Sequence, residues 1–311
     1  MKIFHYPLMA LLLGITLLPA ASRADENALQ VQQVGDGIYA LVGKRGPMTD
    51  KDLGTNATFG VVVTGQGVVL IDPGASFNGA RRIHAAIRTI TEQPVKWVIN
   101  TGGEDHRWLG NGYFRQRGAR IVAAAAAVQD QQERANDLLN RLDFLLTEAG
   151  AAGTQAVHAD ETFTGQRELR IGGLTLQLIE VGPAYTPGDT LVWLPEQRVL
   201  FAGDVVAVER MPAVGPMSDT AGWIAAFERI GALEPAHIVP GHGHVTDLAR
   251  ARADTRDYLL ALRRGIAELI DNGGTLDQVS QVDQSRFGRL IGFEMLKGRN
   301  ANQVFQELEW E

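Results

Sequence analysis

Five turns in this sequence place an acid or a histidine beside glycine or proline. They are Ile71-Asp72-Pro73-Gly74, Asn100-Thr101-Gly102-Gly103-Glu104-Asp105-His106, Gly182-Pro183-Ala184-Tyr185-Thr186-Pro187-Gly188-Asp189, Phe201-Ala202-Gly203-Asp204 and Val239-Pro240-Gly241-His242-Gly243. The chain has seven histidines and no cysteine. Any metal it binds must therefore be held by imidazole nitrogen and carboxylate oxygen, which excludes thiolate-rich structural zinc.

The patterns around these turns are those of an α/β protein. Val31 to Val42, broken at Gly35-Asp36-Gly37, reads as a β-hairpin, and so do Phe59 to Val63 and Val68 to Ile71 around Thr64-Gly65-Gln66-Gly67. Helical spacing follows over Asn78 to Ile90, then a short apolar strand at Val95 to Ile99. The same order recurs through Tyr113 to Arg117, Arg120 to Ala123 and a long helical stretch from Ala126 to Glu148, with Leu138, Leu139, Leu142 and Leu145 on one side. The second half predicts strands at Leu174 to Val181, Thr190 to Leu194, Val199 to Ala202 and His237 to Val239, with helices at Thr220 to Ile230 and Asp254 to Asp271. No linker or short repeat divides the two halves.

A net charge of -7 and a pI near 5.6 provide no basic field for nucleic acid or an anionic membrane. A small-molecule substrate or a protein partner is expected instead. Met1-Lys2, an apolar run from Pro7 to Pro19 and Ala20-Ala21-Ser22-Arg23-Ala24 match a tripartite export signal, too short to span a bilayer. The expectation is a leader over residues 1–24, cleavage after Ala24, a mature domain over residues 25–311, and a periplasmic or secreted product with no membrane insertion. With no cysteine there is neither a disulfide nor a lipid attachment site.

Taken in order, the five turns resemble the metallo-beta-lactamase superfamily, which implies a four-layer αββα sandwich. In that superfamily the strand-end motif reads N-T-H-x-H-x-D-H-x-x-G-N, a later turn supplies a histidine, G-D an aspartate and G-H-G a last histidine. Here Asn100-Thr101 and Gly110-Asn111 keep the flanks, while Gly102, Glu104, His106 and Arg107 fall on the metal-binding positions and Tyr185 on the later histidine. The resemblance thus implies that one of the family's two metals is lost. The other would be held by His106, Asp204 and His242 with Glu104, or with Asp105 if the register slips by one residue. Zinc suits such a set, with iron or manganese as alternatives, and no metal binds if the site is degenerate.

The carboxylate left over, Asp105 or Glu104, is a candidate general base, and Tyr185 a candidate hydrogen-bond donor or a packed aromatic. Asp72 resembles the family's structural aspartate, and Arg107 would repel a second ion or pair with Glu104 or Asp204. His84, His158, His237 and His244 are read as structural or exposed, and Trp108, Trp193 and Trp223 as core. Asp105 to Asn111 and the closing segment Asn300 to Glu309 resemble exported quinoprotein-associated or sulfur-oxidation-associated members. Two functions follow: a metal-dependent hydrolase with a rearranged mononuclear site, or a non-catalytic accessory protein on the same scaffold.

Overall fold

A computed structural model describes residues 1–3 and 27–311. The expected leader and its cleavage point fall on residues 4–26, outside the described residues. Among the described residues no helix is long and apolar enough to cross a membrane.

The first sheet has the order β1 (Gln30–Gly35), β2 (Ile38–Val42), β3 (Thr58–Thr64), β4 (Gly67–Ile71), β5 (Val95–Asn100), β6 (Arg120–Ala124), β7 (Glu161–Phe163). It begins as an antiparallel meander and turns parallel from β4 onward. Helices α1 (Phe77–Arg88), α2 (Asp105–Trp108), α3 (Asn111–Arg115) and α4 (Ala125–Ala151) make the parallel connections. The second sheet comprises β8 (Gln166–Ile171), β9 (Leu174–Glu180), β10 (Thr190–Leu194), β11 (Val199–Phe201) and β12 (His237–Val239), ordered β12-β11-β10-β9-β8. Helices α5 (Thr220–Leu233), α6 (Leu248–Ala251), α7 (Asp257–Asp271) and α8 (Phe293–Leu308) complete the chain.

The pleat sorts the apolar residues into layers. In β4, Val69 and Ile71 face the core between the sheets while Val68 and Leu70 face Ile83 and Ile87 of α1. In β10, Val192 and Leu194 face inward while Leu191 and Trp193 meet Trp223 and Phe227 of α5. Phe201 of β11 reaches across to Gly60 of β3, where any Cβ would collide with its ring. Two sheets between helices give the four-layer αββα arrangement.

Parallel strands put their C-terminal ends at one edge, and all the chemistry-bearing turns follow such ends or lead into β10. Asp72 follows β4, Gly102 to His106 follow β5, Asp204 follows β11 and His242 follows β12. Backbone bonds tie the turns together: Asp72 N–H donates to Ile99 O at 2.9 Å, Thr190 N–H to Thr101 O at 2.8 Å and Thr58 N–H to Gly241 O at 2.8 Å.

Candidate metal centre

The frame of the site is built first by Asp72. Its backbone takes a left-handed φ of 64°, which Asp tolerates better than most residues. Its carboxylate accepts Thr101 N–H and Thr101 Oγ1–H, each at 2.8 Å, and Arg107 Nη1–H at 2.8 Å. The amides of Asn100 and Asn111 pair reciprocally at 3.0 and 2.9 Å and close the ends of the loop. Asp72 therefore positions the loop and does not join the inward-facing donors.

Within that frame, the single turn of α2 aims His106 and Arg107 at Asp204. His106 Nε2 lies 3.3 Å from Asp204 Oδ2, and His242 Nε2 lies 3.2 Å from Asp204 Oδ1. The two imidazole rings meet edge-on with centroids 5.1 Å apart, and one donor atom from each of the three residues lies within 4.8 Å of the others. Donors bonded to one tetrahedral ion at 2.0–2.2 Å lie roughly 3.3 Å apart, so this trio fits a single divalent ion. His106 Nδ1 is 2.8 Å from Asp105 Oδ1, a carboxylate support that turns Nε2 inward. A cavity of about 20 Å³ bounded by Tyr185, Asp204, Arg210 and His242 leaves room for one small species beside the donors.

The two imidazoles differ electrically. Burial and Arg107 oppose charge on His106, but Asp204 and the bonds to Asp105 and Asp204 outweigh them and raise its pKa to about 9. Burial and the adjacent Arg210 push His242 down to about 3, against the pull of Asp204. Burial also opposes charge on Asp204, yet Arg107 and His106 hold it well below the usual carboxylate range.

Two acids suggested by the sequence stand outside the trio. Glu104 is turned toward α4, where its carboxylate faces Arg134 Nη1 at 2.8 Å and Arg141 Nη1 at 3.6 Å. Asp105 spends one oxygen on His106, while its Oδ2 is buried without a hydrogen bond. Arg107 does not pair with Glu104: Nε and Nη2 grip Asp204 at 2.9 and 2.6 Å, and Nη1 reaches Asp72. The loop that carries Gly102 and Gly103 is tied by its own hydrogen bonds. Gly103 N–H donates to Thr186 Oγ1 at 3.1 Å, Gln131 Nε2 to Gly102 O at 3.0 Å, and Asp130 pairs with Arg134. A Cβ on Gly102 would lie 2.8 Å from Asp189 Oδ1. Asp189 itself is pushed up to about 7 by burial, which outweighs its bonds from Thr186.

The Metallo-beta-lactamase superfamily model matches residues 53–242, which takes in β3 to β12 and the turns from Asp72 to His242. The chain belongs to this superfamily. The chain is 21% identical over 251 residues to a metallo-beta-lactamase type 2 from Bacteroides fragilis, covering 76% of this chain and 88% of that protein. It is also 22% identical to a linear primary-alkylsulfatase from a Pseudomonas species, covering 66% of this chain but only 44% of the sulfatase. Among solved structures, a metallo-beta-lactamase from Pontibacter korlensis superposes with a TM-score of 0.60 at 22% identity, covering 75% of this chain and 99% of that one. Hydrolases with lactam and sulfate-ester substrates in their names thus share this superfamily scaffold with the chain.

On the superfamily scaffold the trio opens into a cavity of about 430 Å³. Tyr185 forms part of its wall, half-buried with its ring edge-on to Trp223 at 5.2 Å. Burial, with Glu104 and Asp204 nearby, raises its phenol well above the ordinary range, so it stays a hydrogen-bond donor. The cavity also holds Arg134, Arg141, Arg210 and Arg299, none of which the sequence reading singled out. Asp130, Arg134, Arg141 and Leu145 recur at helical spacing along α4, in register with the buried Leu138, and that placement of charge beside an apolar stripe was the available signal. Trp108 and Trp193 are buried in core, and His84, His158, His237 and His244 lie outside the trio.

Proposed function

We propose that this chain is a metal-dependent hydrolase of an exported compartment, with one divalent ion held by His106, Asp204 and His242. Convergence of those three donors on one point carries the reading. Two nitrogens and one oxygen suit zinc best, with iron and manganese as alternatives. The ion supplies Lewis acidity and makes water easier to deprotonate.

The chain's own residues do the rest. Asp105 orients His106 through Nδ1, and Arg107 fixes both oxygens of Asp204. Between the neighbouring acids, Asp105 keeps an oxygen without a hydrogen bond while Glu104 is held by arginines, so the proton-accepting role falls to Asp105. Tyr185, kept protonated, donates to the developing oxyanion or the leaving group.

One observation favours a scaffold that binds no metal: Arg107 already satisfies both Asp204 oxygens. Elemental analysis of exported protein, and of protein loaded with zinc, iron or manganese, separates the two. The expected result is one ion per chain, lost in His242→Ala together with turnover. A folded protein that takes up no ion under any loading would overturn the hydrolase reading in favour of the accessory one.

A further inference from the structure

The protein carries a net charge of -7, yet four arginines line the cavity beside the donors. They are not equivalent. Arg134 is committed to Asp130 and Glu104. Arg141 is held loosely, at 3.6 Å from Glu104 and 3.9 Å from Asp105. Neither Arg299, exposed on α8, nor Arg210 forms an ion pair among the described residues.

Arg210 is the informative one. It lies at the cavity floor against the donors, where its Nη1 is 3.0 Å from His242 Nδ1 and 3.5 Å from Asn56 O. It is half-buried, and Asp204 beside it is already gripped by Arg107. A half-buried cation without an ion-pair partner is a ready seat for an anionic ligand, which would supply the missing charge. Next to it, Asn56 Oδ1 is buried without a hydrogen-bond partner, a second polar group left for an occupant.

One stretch of the wall above this floor is apolar. Leu145 of α4 and Met295 and Leu296 of α8 line the cavity, with Met217 from the loop before α5. Met295 is 56% exposed. Helix α8 lies outside residues 53–242, so Met295 and Leu296 come from beyond the matched superfamily region.

We propose that the cavity selects an amphiphilic anion: a carboxylate, sulfate or phosphate group received by Arg210, with an apolar body lying on α8 and Leu145. Arg141 and Arg299 at the rim draw the charged end inward against the protein's overall negative field. This substrate class rests on the hydrolytic reading above, but the binding step does not need the ion.

The test is calorimetric titration of the metal-loaded and metal-free protein with octanoate, octanesulfonate and octylphosphonate. Octanol, octyltrimethylammonium and acetate serve as controls. The eight-carbon anions should bind in both forms, while octanol, the cation and acetate bind far more weakly. Their rank order tells whether the natural group is carboxylate, sulfate-like or phosphate-like. Arg210→Gln should weaken binding by about 30-fold or more, and Arg299→Gln by about 3-fold with a steeper loss in low salt. Arg210→Lys, which keeps the charge, should retain most of the affinity and reports on folding. Octanol binding as tightly as the anions, acetate binding as tightly as octanoate, or Arg210→Gln binding unchanged in a folded protein would each overturn the proposal. Anion binding that persists without metal uptake or turnover would instead overturn the hydrolytic reading and leave this one standing.

Discussion

The two sides of Asp204 have diverged differently. On the side of the second sheet, the turns after β11 and β12 keep an aspartate and a histidine whose donor atoms face each other at 3.2 Å. On the side of the first sheet, the loop after β5 brings one donor, His106, and ties up its other charged residues: Asp72 and the Asn100–Asn111 pair shape it, while Glu104 and Arg107 are held in arginine–carboxylate pairs. The frame and the chemistry of a motif are therefore separable. The hydrogen bonds that fold a loop are separate from the donors it presents, and the fold alone does not report the activity.

The comparison breaks most visibly at Asp204. Asp204→Ala should remove the metal and also leave Arg107 a buried cation with only Asp72 for charge, at a cost of about 3–5 kcal/mol in urea unfolding. If stability is instead unchanged, Arg107 does not hold the two sides together.

A pH titration separates the sides without mutation. In metal-free protein, imidazole NMR should show His106 titrating near 9 and His242 near 3. His106 is raised, so its contribution to stability is full below its unfolded value of 6.5 and is lost as pH rises through about 9. His242 is lowered, so its neutral form contributes above 6.5 and that contribution is lost as pH falls toward about 3. Loading zinc at pH 7 should release about one proton, that of His106. Coincident titrations near 6.5 would mean that Arg107, Arg210 and Asp204 do not set the asymmetry.

The loop around Gly102 leaves no room for a histidine. Gly102→His should destabilise the fold by about 1–3 kcal/mol because its Cβ has no room beside Asp189 Oδ1, and it should not add a second ion. Thermal unfolding and metal analysis of that variant check both halves. The smallest effect is expected at Tyr185: Tyr185→Phe should keep the ion and slow turnover by about tenfold, the loss of one hydrogen bond to the reacting group. Equal loss of metal would make the phenol a ligand.

Much of the sandwich was legible because its central strands are short, nearly unbroken apolar runs, as in β4 and β10, and because the turn residues recur at strand ends. Strand β8 was not, since Gln166-Arg167-Glu168-Leu169-Arg170-Ile171 is polar on an exposed face and offers little apolar alternation. Helix α8 was missed for a related reason. Asn300 occupies a core position between Leu296 and Val304, its amide donating to Pro212 O and Tyr258 Oη and accepting Val214 N–H, so a polar residue interrupts the apolar stripe. Tyr113 belongs to α3 because the loop after Gly110 closes as a short helix. At the site, Asp204, His106 and His242 were visible as residue types in turns. The separate duties of Glu104 and Asp105 were not, because they depend on which acid the arginines of α4 reach.

Arg107 donates through Nε, Nη1 and Nη2 to Asp72, Asp204, Thr58 O and Gly241 O, and so fastens the ends of both sheets with a cation that is part of the polypeptide. Unlike a metal, it does not dissociate, compete with other ions or depend on supply. On the proposed reading the walls close when the chain folds, and an ion would be acquired afterward by a chamber that already has its shape. A chelator would act on such a protein as a reversible brake, silencing it without unfolding it.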